Sequence, residues 1–225
     1  MRITRGSAND PFAVLADLGA RQINYDREEV APPDWIFDRH RQVLGFEEPG
    51  APTRHGLWAR ARALVRDYEF TPPELINAYY RSDTDLAERN MLLEGRFLGL
   101  RFLMGVRVTA LLDESGDERT VWGWSYDTLD GHLERGRVDY AVVKHHATGE
   151  VEFTATSYSQ VSPALHPVLR LGWAVFGRRT QLRFYRRIGE RLQDLLRYPA
   201  DAVTVPRRRP LARPWNLTIT DAASG

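Results

Sequence analysis

From residue 91 to residue 158 the chain is a succession of short runs of strand character, the later ones joined by segments of turn composition. Nothing else in the sequence restricts the fold so strongly. Alternation at period two puts every second side chain on one face. Turns this short join antiparallel neighbours, because parallel strands need a crossover of a dozen residues or more.

The runs are Met91 to Leu98, Gly105 to Asp113, Thr120 to Thr128, Arg137 to His145 and Val151 to Tyr158. In the second, Val106, Val108, Ala110 and Leu112 share a face, and Asp113 to Arg119 has the composition of a hairpin turn into the third. Val138, Tyr140 and Val142 share a face of the fourth. After the turn His146 to Glu150, apolar Val151, Phe153 and Ala155 alternate with Glu152, Thr154 and Thr156.

Helical spacing flanks this block. Leu57, Ala61, Leu64, Val65 and Tyr68 form an apolar stripe over 56–68, and the prolines after Thr71 stop that helix. Tyr185, Ile188, Leu192, Leu195 and Leu196 form a second stripe, with Arg186, Arg187, Glu190, Arg191, Asp194 and Arg197 on the other side. The stretch 163–173 before it is helical in character but interrupted by Pro167 and Gly172. Strands in sequence followed by a long amphipathic helix predict an α+β fold. In it a curved antiparallel sheet has its concave face closed by the C-terminal helix.

The ends read differently. Residues 1–20 form an irregular lead-in with one helical turn over Pro11 to Leu18, and residues 21–198 form the domain. Residues 199–225 form a tail in which Pro199, Pro206, Pro210 and Pro214 surround Arg207-Arg208-Arg209. Proline at that density disfavours helix and ladder alike. The tail is expected to be solvated or to run as an extended strap, with Trp215 and Leu217 able to pin it.

Composition excludes several classes of function. A net charge of +1 gives no field that would gather nucleic acid or an acidic membrane. Without cysteine there is no disulfide, thiolate nucleophile or cysteine-held metal. No apolar run approaches the roughly 20 residues of a membrane span, and no signal-peptide core follows Met1, so a cytoplasmic protein is expected. Lys144 is the sole lysine among 31 basic residues, a skew read as compositional. Oligomeric state is left open.

Chemistry is concentrated in Trp122 to Gly136, where two Trp, a Tyr, acids and a His surround glycines. Trp122, Trp124 and Tyr126 share one strand face, and Asp127 falls on the other with Gly123 and Ser125. The aromatic face is either a stacking wall for a flat ligand or core beneath a closing helix. His132, beside Gly131 in a turn-like stretch that contains Asp130, is either an acid–base group or a ring that caps its own turn. His145 and His146 are adjacent on a strand, point apart and have no third ligand at suitable spacing, so no metal site is expected. Neither a nucleophile elbow nor a phosphate-binding glycine loop occurs, so no cofactor is expected. Arg89, Arg96, Arg101 and Arg107 lie along strands, where one turned inward could clamp an anion.

The stretch Trp124 to Gly136, with Val151-Glu-Phe, Ser157-Tyr-Ser159 and Gln181 beyond it, resembles a family of uncharacterised bacterial and plant proteins. Its signature is Tyr-Gly-Thr-Leu-x-Gly-His-x-Glu-x-Gly-Glu. Tyr126, Thr128, Leu129, Gly131, His132, Glu134 and Gly136 match, and the resemblance runs from Ile23 to Tyr198. That family is grouped with the START-like proteins (SRPBCC, helix-grip, birch-pollen-allergen type). The resemblance therefore implies a sheet wrapped around a long C-terminal helix and a hydrophobic cavity. Asp127 replaces the first glycine of the signature and Arg137 its last glutamate, an exchange that predicts an ion pair between them.

Two functions compete. In the first, the cavity holds an apolar or aromatic small molecule against Trp122, Trp124, Tyr126, Tyr140 and Phe153. In the second, a cofactor-independent cyclase, dehydratase or isomerase of a biosynthetic pathway uses Asp127 or His132 as acid and base and Tyr126 as donor. The second requires Asp127, His132 and Tyr126 to point into one cavity. A third reading, a surface-acting interaction protein, requires a filled interior.

Overall fold

The computed structural model describes residues 3–4, 11–97, 100–164, 183–197 and 217–219. Among them lie strands β1 (Ile3–Thr4), β2 (Ile36–Phe46), β3 (Ile76–Arg81), β4 (Asn90–Phe97), β5 (Leu100–Ser115), β6 (Arg119–Thr128), β7 (Glu134–His145), β8 (Glu150–Val161) and β9 (Leu217–Ile219). Helix α1 is Pro11–Asp17, α2 is Leu57–Arg66, and α3 covers 183–197. The stretch 165–182 and most of the tail expected over 199–225 lie outside the described residues.

Every ladder is antiparallel. The sheet runs β2-β8-β7-β6-β5-β4-β3-β9, and β1 pairs with β5. The five runs read from sequence are β4 to β8, displaced at their ends by a few residues. Strands β2 and β3 are not legible in the sequence. β2 is an edge strand carrying Asp38, Arg39, His40 and Arg41, and charge on both faces erases the period-two signal there. In β3 the residues Ala78, Tyr79 and Tyr80 are all buried, because helix α2 and helix α1 cover opposite faces of that end of the sheet.

The inner face carries the main core. Trp58, Ala61 and Val65 of α2 and Phe184, Tyr185, Ile188, Leu192 and Leu196 of α3 pack there against Met91, Leu93, Val106, Trp124, Tyr140 and Phe153. The buried residues of α3 include the whole stripe read from sequence. Hydrogen bonds hold the C-terminal half of α3: Arg191 donates to the Glu69 carbonyl at 2.8 Å, Gln193 to that of Val43 at 2.9 Å, and Arg60 to that of Leu196 at 2.6 Å. This curved antiparallel sheet gripping a C-terminal helix is the helix-grip fold.

The outer face has its own cover. The helical turn expected over Pro11 to Leu18 is α1, and Val14, Leu15 and Leu18 form a second core with Tyr79, Leu92, Leu103 and Leu129. Arg107 secures the chain that follows, donating to the carbonyls of Leu18 at 2.9 Å and Arg21 at 3.0 Å. Its role is therefore to tie the N-terminal segment down. Arg89 lies 4.3 Å over the Tyr80 ring and donates to the Arg66 carbonyl at the end of α2. The side chains of Arg96 and Arg101 lie outside the described ones.

Candidate functional site

Cross-strand register arranges the inner face in rows. Trp124, Tyr140, Ala155 and His40 lie side by side in one, and Tyr126, Val138, Ser157 and Asp38 in the next. The first row is closed. Tyr140 meets Trp124 at 5.4 Å and Phe153 at 6.0 Å between ring centroids, and Phe70 fills the gap beside both Tyr140 and Phe153. Trp124 donates from Nε1 to the Val65 carbonyl at 3.1 Å, and Arg62 of α2 stacks 5.0 Å over Trp122. Trp122 and Trp124 thus lie beneath α2 as core.

The second row is less tightly closed and more polar. Tyr126 keeps 7% of its surface against 1% for Tyr140, and Val138 is only half-buried although it faces inward. The Ser157 hydroxyl pairs with that of Tyr185 at 2.9 Å, and His40 stacks on the Tyr185 ring at 5.8 Å. Burial pushes the His40 imidazole below its usual pKa. It also pushes the phenols of Tyr68, Tyr126 and Tyr140 up, and these three are close enough to perturb one another. Tyr68, Tyr185, Ser157 and His40 were not legible as site residues. They come from a loop, a helix and two strands, and no local motif links them.

Asp127 sits on the opposite face, with none of its side chain exposed. Its carboxylate accepts from Arg27 at 3.0 Å and from the hydroxyls of Tyr25 and Thr109, with Arg137 at 3.4 Å. The pair predicted from the two departures, Asp127 and Arg137, is thus present, and the two residues are direct cross-strand partners. A bulge in β5 between Val108 and Ala110 turns Thr109 toward the carboxylate. Above it, Tyr25, Trp35 and Tyr158 form a ring cluster with centroids 5.5–5.9 Å apart. Asp127 is the anchor by which the segment before β2 is held to the outer face. The Tyr25 phenol is pushed far up, by burial first and then by its bond to that carboxylate.

His132 belongs to neither face. It lies in the turn between β6 and β7, where Gly131 adopts φ +85°, a conformation glycine adopts readily and other residues rarely. Its Nδ1 accepts the Glu134 N–H at 3.0 Å, which is the turn-capping arrangement. The three acid–base candidates are therefore not brought together: Tyr126 faces inward, Asp127 outward, and His132 serves its own turn.

Burial lowers the His132 pKa to about 4. A folded-state pKa below the unfolded value means that the unfolded chain takes up the proton first. The contribution of this residue is complete above about pH 6.5 and lost as pH falls toward 4, by about 3 kcal/mol. Denaturant unfolding at pH 7 and pH 4.5 should show that loss in the wild type. It should be smaller in His132→Asn, whose amide oxygen can accept the same N–H. Equal losses would place the acid sensitivity elsewhere.

The histidine pair is also resolved. His146 bonds the Thr120 hydroxyl at 2.8 Å and faces the Asp117 carbonyl. The fold sets Glu150 and Glu152 beside His145 with potential ligand atoms within 4.8 Å of one another, a grouping that chain spacing did not suggest. Arg41 already pairs with both carboxylates.

The sequence pattern of a family described as a domain of unknown function (DUF1990) matches residues 16–191. The UPF0548 protein of Deinococcus radiodurans is 30% identical over 141 residues, 58% of this chain, and the match covers 65% of that protein, just under two thirds of its length. Among solved structures, a hypothetical protein from Helicobacter pylori shares 13% identity at a TM-score of 0.46, covering 77% of this chain and 95% of that one. Norcoclaurine synthase from Thalictrum flavum shares 7% at 0.44, covering 88% and 98%. No helix among the described residues is long and apolar enough to cross a membrane.

Proposed function

We propose that this chain, which belongs to the DUF1990 family, binds an apolar or aromatic small molecule between the sheet and α3. The observation that carries the reading is the contrast between the two inner rows. The Trp124–Tyr140 row is packed shut, whereas the Tyr126–Val138–Ser157 row retains exposed surface on a face that a helix covers. A concave wall of apolar and aromatic side chains with a few convergent polar groups is the usual make-up of a small-molecule site. Tyr126 remains as its aromatic lining, joined by Val138, Ser157 and Tyr185, whereas Tyr140 and Phe153, sealed by Phe70, are core beside it. Trp122 and Trp124 support the wall from behind. The work is expected in the cytoplasm, on a free small molecule and without a cofactor. An acid–base enzyme reading lacks its geometry, since Asp127 and His132 do not share this space.

Titration with 2-isopropenylnaphthalene, followed by tryptophan fluorescence and native mass spectrometry, tests the proposal. Saturable one-to-one binding is expected in the wild type. It should be lost in Val138→Trp, which fills the less closed row, with thermal unfolding unchanged within a few degrees. A wild-type protein that takes up no such probe would remove the reading.

A further inference from the structure

The turn that closes β7 onto β8 carries groups that neither the core nor the ligand row uses. Gly149 adopts φ +72° there and donates its N–H to the His145 carbonyl at 2.8 Å, which holds the two strand ends together. Val143 is the cross-strand partner of Glu152. Side chains alternate at period two, so His145 and Glu150 fall on the same face as that pair, the outer one. An imidazole and two carboxylates thus meet on one surface, with potential ligand atoms all within 4.8 Å of one another. His145 Nε2 lies 3.3 Å from Oε1 of Glu152.

The cation now among these oxygens is Arg41 of the edge strand β2. It reaches Glu150 at 2.5 Å and lies against Oε2 of Glu152 as an ion pair. The fit is poor at the second contact, where Oε2 is buried and receives no aligned hydrogen bond. Only 9% of the Glu152 side chain is exposed, against 49% for Arg41. A buried carboxylate short of a donor is costly, whereas a half-exposed arginine is held weakly and can turn into water. What covers Glu152 is therefore the movable member of the group. Arg119, exposed on β6 opposite His145, is the other cation at the rim.

The donor set decides which ion would replace the guanidinium. Magnesium and calcium take oxygen ligands throughout. One imidazole nitrogen with two carboxylates suits zinc or a similar first-row divalent ion, with a coordination position left for water. We infer that His145, Glu150 and Glu152 form a binding site for such an ion, which takes the place of the Arg41 guanidinium while the arginine turns out to solvent. The site stands on the outer face, apart from the ligand row.

Calorimetric titration of the full chain with zinc chloride tests the site, with cobalt(II) absorption as a second readout. One-to-one binding is expected, with the unfolding temperature raised by saturating zinc and unmoved by magnesium at the same concentration. His145→Ala and Glu150→Gln, both at partly exposed positions, should fold normally and each weaken zinc by about tenfold or more. His55→Ala, which removes an exposed imidazole outside the group, should leave the affinity unchanged. Arg41→Gln should bind zinc about three- to tenfold more tightly than the wild type, because the competing cation is gone. Zinc should also raise the unfolding temperature of that variant by more than it raises that of the wild type. Binding that survives His145→Ala would mark an adventitious ion only and overturn the inference. Absence of binding in both the wild type and Arg41→Gln, or equal affinity in the two, would overturn it as well.

Discussion

Replacing Lys144 with methionine is expected to cost about 3–5 kcal/mol of folding stability, as losing one partner of a buried ion pair does. Lys144 is the sole lysine of the chain and only 1% of its side chain is exposed. Its ammonium meets the Glu47 carboxylate at 2.5 Å and the Ala51 carbonyl at 3.3 Å. The other oxygen of Glu47 accepts the Trp58 N–H at 2.6 Å in the first turn of α2. That carboxylate serves two structures at once, and removing the lysine leaves it desolvated with one neutral donor. Because α2 presses on Trp122 and Trp124, the loss should propagate into the inner face. Chemical denaturation reads the effect directly, and the double variant Lys144→Met/Glu47→Gln should recover more than half of it. A single variant as stable as the wild type would show that the pair is not desolvated in solution.

Asp127→Ala should be the second severe change, at about 2–4 kcal/mol, because a fully buried carboxylate with charged and hydroxyl partners is withdrawn from all of them. Arg27 is half-exposed and can turn to solvent; Arg137 keeps Asp139 at 2.7 Å. The larger loss falls on Tyr25 and Thr109, whose hydroxyls are left without the acceptor they share. The expected sign of this loosening is local: limited proteolysis should cut within residues 21–35 sooner than in the wild type. Affinity for the naphthalene probe should stay the same, since the residue faces away from the interior. A variant that keeps its protease resistance and loses ligand affinity would return Asp127 to the binding site.

Some of this was legible without coordinates. The β4 to β8 succession and the α3 stripe are local periodicities, and periodicity survives in sequence because it reports which face of one element is buried. The same rule separated Tyr126 from Asp127 by strand parity, and reading Asp127 and Arg137 against the signature that the sequence resembles pointed to their ion pair. Strands β2 and β3 escaped because one is a charged edge and the other is buried on both faces, so neither alternates.

What the chain determined alone is therefore the fold class, the inner and outer faces of its central strands, and the helix that closes them. Tertiary structure decided the chemistry. It sent Trp124 under α2, set Lys144 on Glu47 across 97 residues of chain, and turned His132 into a cap. It also gathered Tyr68, Tyr126, Tyr140 and Tyr185 from a loop, two strands and a helix. Local pattern encodes which side of an element meets the core, whereas a site is made where several elements meet, and that depends on register, bulges and helix placement that no short window contains.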